Sequence, residues 1–262
     1  MAPVVRPALT LWRRELIRFK RQRSRWIGAF GTPLIFWLLI GSGIGASFRP
    51  PSSSGSVNYL EYFYPGTVLL VVLFTAIFST FSVIEDRREG FLLSVLVAPV
   101  SRLAIVLGKV LGGTTIALLQ AVLLLLLAPL LGFQLHLVSV LILFAAMFGV
   151  SLWLTSLGFG LAWRINSSAG FHSLMNLVLL PMWLLSGALF PPAGASSWVQ
   201  WIMAINPLTY GLALFRGGLY WSETDPAGYF PKLAVSALVT LGCVICAMVF
   251  STRVIRPEMG GS

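Results

Sequence analysis

The side chains able to do chemistry are few and unevenly placed. The densest group is Glu85, Asp86, Arg87, Arg88 and Glu89, five charges in succession followed by Gly90. Such a run cannot sit in lipid and offers ion pairing and recognition. His136 and His172 are the only histidines and stand far apart. Cys243 and Cys246 have C-x-x-C spacing inside an apolar stretch, where thiols pack as small hydrophobes and imply no disulfide framework. Gly108-Lys109 is not a phosphate-binding loop: no glycine stands five residues earlier, and Val110 replaces the required Ser or Thr. Neither G-x-S-x-G nor H-E-x-x-H occurs. The sequence therefore predicts no catalytic residue, no metal site and no cofactor bound by this chain.

The elements around these residues are apolar. Of 262 residues, 57% are hydrophobic and 10% charged, against about 25% charged in soluble domains. Mean hydropathy is +0.89. This is the composition of an all-α integral membrane protein. Six spans are expected, near Trp26–Ser47, Pro65–Ile84, Leu107–Leu131, Leu137–Trp163, Phe171–Phe190 and Leu233–Thr252, each about 20 residues or more as the hydrocarbon core requires. The Glu85–Glu89 run lies outside the lipid, since a charge at mid-span costs about 2.5–3.5 kcal/mol. Phe91–Ala98 is too short to cross a bilayer. It reads as a short helix at the membrane surface or docked in a groove of another protein, with a plain polar loop as the alternative.

Before the first span, Leu9, Trp12, Leu16 and Phe19 form an apolar stripe, and Arg14, Arg18, Arg21 and Arg25 follow on the opposite face. That is a basic amphipathic helix in the plane of anionic headgroups. Of the eighteen Lys and Arg residues, only Arg49, Arg216 and Lys232 fall on the other side of the membrane. The positive-inside rule thus places both termini and the 85–109 loop in the cytoplasm. It also accounts for the net charge of +10 without nucleic acid. On the outer side, Trp198, Trp201, Ile202 and Ile205 make one helical stripe. Asn206 suits an N-cap and Pro207 a first helical position, opening a second stripe of Leu208, Leu212, Phe215 and Leu219. Two short helices dipping into the outer leaflet are expected. All eight acidic residues fall outside the spans, which argues against a proton- or sodium-coupled pump. Thr75, Ser79, His172 and Asn176 are candidates to line a path, with helix-to-helix hydrogen bonding as the alternative reading.

The basic N-terminal helix, EDRREGFLLSVLVAPVSR with GK after it, and INPLTYGLALFR before the last span occur in that order. Together they resemble the membrane subunit of type-2 ABC exporters, a family with drug-efflux and polysaccharide-export members. The resemblance covers essentially the whole chain. It implies that residues 1–25 form a connecting helix and 26–262 a six-span transmembrane domain, with a coupling loop at 85–109 and an outer re-entrant pair within 191–232. It implies that Glu85, Asp86, Arg87, Arg88, Glu89, Gly90, Phe91, Leu92, Val95, Leu96, Pro99 and Arg102 serve ATPase coupling, with Leu92, Val95 and Leu96 sharing the docked face and Arg87 and Glu89 on its rim. It also implies an outer motif of Asn206, Pro207, Tyr210 and Arg216. Partners would be a cytoplasmic ATPase subunit carrying ATP and Mg, a second copy of the permease or a related one, and membrane lipid. The cargo would be a drug or lipid-linked molecule, or alternatively polysaccharide or glycolipid. Two departures stand out. Leu93 replaces an acid common after the glycine, and Ala213 replaces one that would give Arg216 a local partner.

An integral-membrane enzyme acting on lipid, or a membrane anchor without transport, are the readings from other classes. The expected location is the plasma (inner) membrane. Leu96→Asp is expected to break ATPase docking while leaving the spans inserted. With Cys243 and Cys246 replaced, a cysteine at Arg88 should resist an impermeant thiol reagent in intact cells, and cysteines at Ser53 and Ser222 should react. Labelling at position 88 would reverse the orientation.

Overall fold

The computed structural model describes residues 4–44, 58–98, 100–165, 167–221 and 231–255. Among these residues there is no strand. Helix α1 is Val5–Arg21, α2 Arg23–Ile44, α3 Tyr59–Ser79, α4 Phe81–Arg88, α5 Phe91–Val97 and α6 Arg102–Leu125. They are followed by α7 Leu137–Arg164, α8 Ser168–Trp183, α9 Ser197–Ile205, α10 Pro207–Leu219 and α11 Leu233–Val254. Five helical stretches are long and apolar enough to cross a bilayer: Tyr59–Arg88, Arg102–Leu131, Leu137–Arg164, Ser168–Ala188 and Leu233–Val254. The remaining expected span, Trp26–Ser47, corresponds to α2, within which Gly31–Ile44 is an apolar stretch. Residues 45–47 of that span lie outside the described residues.

Two capping residues set boundaries that differ from the sequence expectation. Asn58 accepts from the Leu60 N–H at 3.2 Å, so α3 begins at Tyr59 and Pro65 sits inside it. Ser101 accepts from the Ala104 N–H at 3.2 Å, so Arg102–Lys109 are the first turns of a spanning helix rather than loop. Side-chain caps satisfy N–H groups that a helix start leaves open. Among the described residues, what remains non-helical between the two spans is Glu89, Gly90, Ala98, Val100 and Ser101.

Helix α3 is the centre of the bundle, with α2, α6, α7 and α10 packed around it and nearly every residue from Tyr59 to Ile77 buried. Its aromatic residues carry polar tips that need partners. Tyr64 donates to the Leu124 carbonyl at 2.7 Å, and Trp183 donates to the Gly66 carbonyl at 2.8 Å. At the far end of α8 the helix breaks over Leu184–Ala188, where Gly187 takes φ 93°. Four carbonyls around the break are met by side chains: Tyr62 donates to Gly187 at 2.9 Å, Tyr59 to Leu189 at 2.8 Å, and Asn206 to Met182 and Leu185 at 2.5 and 3.1 Å. Irregular backbone is tolerated at membrane depth only where protein covers it.

Helix α1 is not simply laid on lipid. Leu11 and Glu15 are buried against α6, and two glycines permit the approach. A Cβ at Gly108 would meet Leu11 Cβ at 2.6 Å and the Ala8 carbonyl oxygen at 2.8 Å; one at Gly112 would meet Glu15 Cβ at 2.8 Å. Val5, Leu9 and Ile17 remain exposed on its other side. The expected stripe of Leu9, Trp12, Leu16 and Phe19 is therefore split between α6 and the surroundings. Gly108→Ala should lower the melting temperature in micelles by an amount corresponding to about 1–3 kcal/mol. Gly242→Ala, whose Cβ meets nothing within 4 Å, should be neutral or stabilising because alanine is the better helix former.

Candidate functional site

The five-charge run folds into the last turn of α4, and its partners come from distant helices. Asp86, fully buried, accepts two parallel hydrogen bonds from the Arg14 guanidinium, both 2.8 Å. It also accepts one from Arg18 at 2.6 Å and one from Lys109 Nζ. Lys109 reaches Glu15 at 2.6 Å, and Arg18 reaches Glu85 at 2.7 Å. Three cations thus face three carboxylates. Charges removed from water are tolerable only when paired and hydrogen-bonded in this way. The hydrogen bonds to Asp86 push the Arg14 pKa up from its ordinary value, against the opposing effect of burial. Arg14 and Arg18, expected to meet headgroups, turn inward to Asp86 instead. Lys109, expected at the edge of a span, is buried between α1 and α4.

Arg87 is half-buried rather than on an exposed rim. Its guanidinium donates to the carbonyls of Trp163 and, at 3.4 Å, Ala162, and lies 5.5 Å from the Trp163 ring centre. It caps the C-terminus of α7, where a cation complements the helix dipole. Arg88, Glu89 and Arg102 are exposed.

Gly90 ends α4 and begins α5. Its φ of 75° is left-handed, a conformation glycine adopts without steric cost. Its N–H donates to Arg87 and its carbonyl accepts from the Ser94 N–H. One residue thus redirects the chain between two helices. Across the turn, Arg14 lies 3.8 Å from the Phe91 ring centre, a cation–π contact that ties α5 to the ion cluster. Leu92 is 4% exposed and belongs to the core, with Val95 packed against it. The docked face expected for Leu92 and Val95 is therefore turned into the chain itself. Val97, at 86% exposed, and Ser94 face away. Pro99 and the side chains of Leu93 and Leu96 lie outside the described residues.

Beside this turn, a cleft of about 650 Å³ is lined by Arg13, Arg14, Arg18, Arg21, Gln22 and Glu89, among others. A second cavity of about 250 Å³ brings together Thr75, Ser79 and His172, with Phe78 and Phe81. Asn176 is exposed on α8 and does not line it. Thr75 also donates to the Oε1 of Gln120, a residue the sequence reading passed over. A lone Gln in an apolar span was the available signal, since such groups bond across helices. At the far end, Asn206 caps α10 by accepting from the Leu208 N–H at 3.0 Å, with Pro207 in the first turn. Tyr210 donates to the Ala204 carbonyl at 2.7 Å. Arg216 does not depend on an acid at position 213. It is buried, donates to the Tyr62 carbonyl at 2.8 Å and lies 4.3 Å from the Tyr62 ring centre.

Removing one member of the ion cluster leaves the others buried and unbalanced. Lys109→Met should cost about 3–5 kcal/mol, read by denaturation in micelles. In a Glu15→Gln background it should cost at least ~1 kcal/mol less. Strictly additive losses would show that the two residues are not coupled. Arg18→Gln should cost less than Lys109→Met, because Arg18 is partly exposed and screened by water.

A family model described as ABC-2 type transporter matches residues 7–220. The chain is 29% identical to the putative transport permease ycf38 of Cyanophora paradoxa over 81% of its own length and 73% of that protein. It is 26% identical to the ycf38 permease of Pyropia yezoensis, over 86% and 76%. With nodulation protein J of Rhizobium leguminosarum bv. viciae the identity is 26%, over 79% and 80%. The match spans the bundle, the charged turn and the α9–α10 pair alike, and the chain belongs to the ABC-2 type transporter family of membrane transport permeases.

Proposed function

We propose that the chain is the membrane subunit of an ATP-driven exporter, with α5 as its contact to a separate cytoplasmic ATPase. ABC-2 permeases normally work with an ATPase subunit, and the observation that carries the reading is the setting of α5. It is a seven-residue helix hinged at Gly90, with Val97 exposed on one side and Leu92 packed into the chain on the other. Movement imposed on α5 passes to α4 through Gly90. It passes to α1 through Arg14, which holds Phe91 and Asp86 together, and to α6 through Lys109. The basic cleft beside it, with Arg13 and Arg21 exposed, gives an acidic partner surface somewhere to steer. In this reading both termini are cytoplasmic, the membrane is the plasma (inner) membrane, and a second permease copy or a related one completes the path. ATP and Mg reside on the ATPase, and the chain itself performs no catalysis.

Glu61, Glu85 and Asp86 stand at the two ends of the Tyr59–Arg88 stretch and the interiors of the described spans hold no carboxylate, which suits an apolar or amphipathic cargo such as a drug or lipid-linked molecule. Thr75, Ser79 and His172 are the polar groups proposed to face its path, with Asn176 one turn along α8. Polysaccharide or glycolipid is the second reading. Trp198 and Trp201 favour it, because their rings stand exposed at the outer end as flat faces on which a sugar can stack.

Val97→Asp should abolish co-purification of the ATPase and stop export while the permease still inserts. An unpaired charge in an apolar contact typically costs several kcal/mol. Leu92→Asp should instead destabilise the permease itself. Arg13→Glu with Arg21→Glu should slow association and alter its salt dependence more than its final strength. Export should end when the ATPase cannot hydrolyse ATP and should survive collapse of the proton gradient at constant ATP. Normal ATPase recovery with Val97→Asp, or gradient-dependent export, would overturn the proposal.

A further inference from the structure

At the opposite end of the bundle lies a cavity of about 730 Å³ that the coupling machinery does not use. Gln200 and Trp201 of α9, Thr209 and Tyr210 of α10, and Lys232 and Val235 of the start of α11 line it. Most of its polar atoms are already committed. Gln200 donates to the Pro192 and Ala195 carbonyls at 3.1 and 2.9 Å, and Tyr210 donates to Ala204. The Leu208 N–H is held by the Asn206 side chain and the Thr209 N–H by the Asn206 carbonyl.

Thr209 and Lys232 are among the lining donors left over. Thr209 is 3% exposed, and its hydroxyl has no hydrogen-bond partner among the described residues. An enclosed hydroxyl without a partner is unfavourable. Threonine in a helix divides between two χ1 rotamers, and the second rotamer turns the Oγ1 away from its present enclosed position. Lys232 is exposed and makes no ion pair among the described residues. Thr209 lies in the first turn of α10, the positive end of that helix, and Lys232 immediately precedes α11. The remaining wall is apolar, with Trp201 71% exposed at the rim.

A cation and a hydroxyl over an apolar wall match an anionic headgroup that carries a hydrocarbon chain. We propose that this cavity binds the phosphate headgroup of an anionic phospholipid from the outer leaflet, with its phosphate against Lys232 and Thr209 and its chain along Trp201 and Val235. The site rests on the outer placement of α9 and α10, which cysteine labelling at Ser222 tests separately.

The test uses the full chain in nanodiscs of phosphatidylcholine containing a minor share of phosphatidylglycerol. A benzophenone amino acid replaces Ala204, which lines the cavity without carrying its polar groups. Cross-linked lipid should be enriched in phosphatidylglycerol over its share of the bilayer. Lys232→Gln and Thr209→Val should return it to that share, while Lys232→Arg retains the enrichment. Excess inorganic phosphate should not displace the lipid. Melting in pure phosphatidylcholine should be unchanged by the Lys232 variants, since that side chain is exposed. Cross-links in bulk proportion, or enrichment that survives Lys232→Gln, would overturn the proposal. Displacement by inorganic phosphate would assign the cavity to a free anion instead and equally overturn it.

Discussion

Asp86 is where the molecule is tied together. Its carboxylate takes hydrogen bonds from Arg14 and Arg18 of α1 and from Lys109 of α6, so three helices that share no chain segment converge on two oxygen atoms. An apolar bundle in lipid has little hydrophobic drive to hold one helix against another, because lipid tails are as apolar as leucine. Close packing and a few polar contacts must supply the specificity. The ion cluster does so at the charged end, and Gly108 and Gly112 let α1 come near enough for it to form. Arg87 adds a fourth element by capping α7. The charged run is thus both the part that excludes lipid and the part that orders the helices around it.

At the other end the same problem is solved with neutral groups. The break after α8 opens several carbonyls, and Tyr59, Tyr62 and Asn206 close them. Arg216 then rests over Tyr62 and on its carbonyl, which links the α10 helix to α3 at the level of the break. Asn206 works in two directions, capping α10 with its oxygen and holding α8 with its nitrogen. A kink maintained by directed hydrogen bonds is a defined geometry rather than a soft point.

Periodicity and hydropathy made the bundle legible, because each spanning helix is long and its composition leaves no other solvent for it. The α9 and α10 stripes were legible too, though not their directions. The α10 stripe of Leu208, Leu212, Phe215 and Leu219 is buried, whereas Trp198, Trp201, Ile202 and Ile205 of α9 face outward. In water an exposed stripe of that kind would be unfavourable, but lipid removes the penalty, so pattern alone does not choose the side. The ion cluster was hidden for another reason. Glu85–Glu89 announces itself locally, but its partners Arg14 and Arg18 lie 72 and 68 residues from Asp86, and spacing carries no information at that range. The inward packing of Leu92 was not legible because a short apolar helix has two sides and the sequence does not say which faces home.

The separation along the chain has a consequence for biogenesis. Translation delivers Arg14 and Glu15 first, 72 residues before Asp86 and 94 before Lys109. Until α6 enters the membrane, α1 lacks its glycine seat and the Lys109 counter-charge to Glu15. Helix α1 is therefore made well before it is fixed, and its docking reports that the segments between Glu15 and Lys109 have been threaded in the correct direction. A chain with one span inverted would carry Asp86 or Lys109 to the wrong face of the bilayer and leave the leading helix undocked, as a recognisable mark of misassembly.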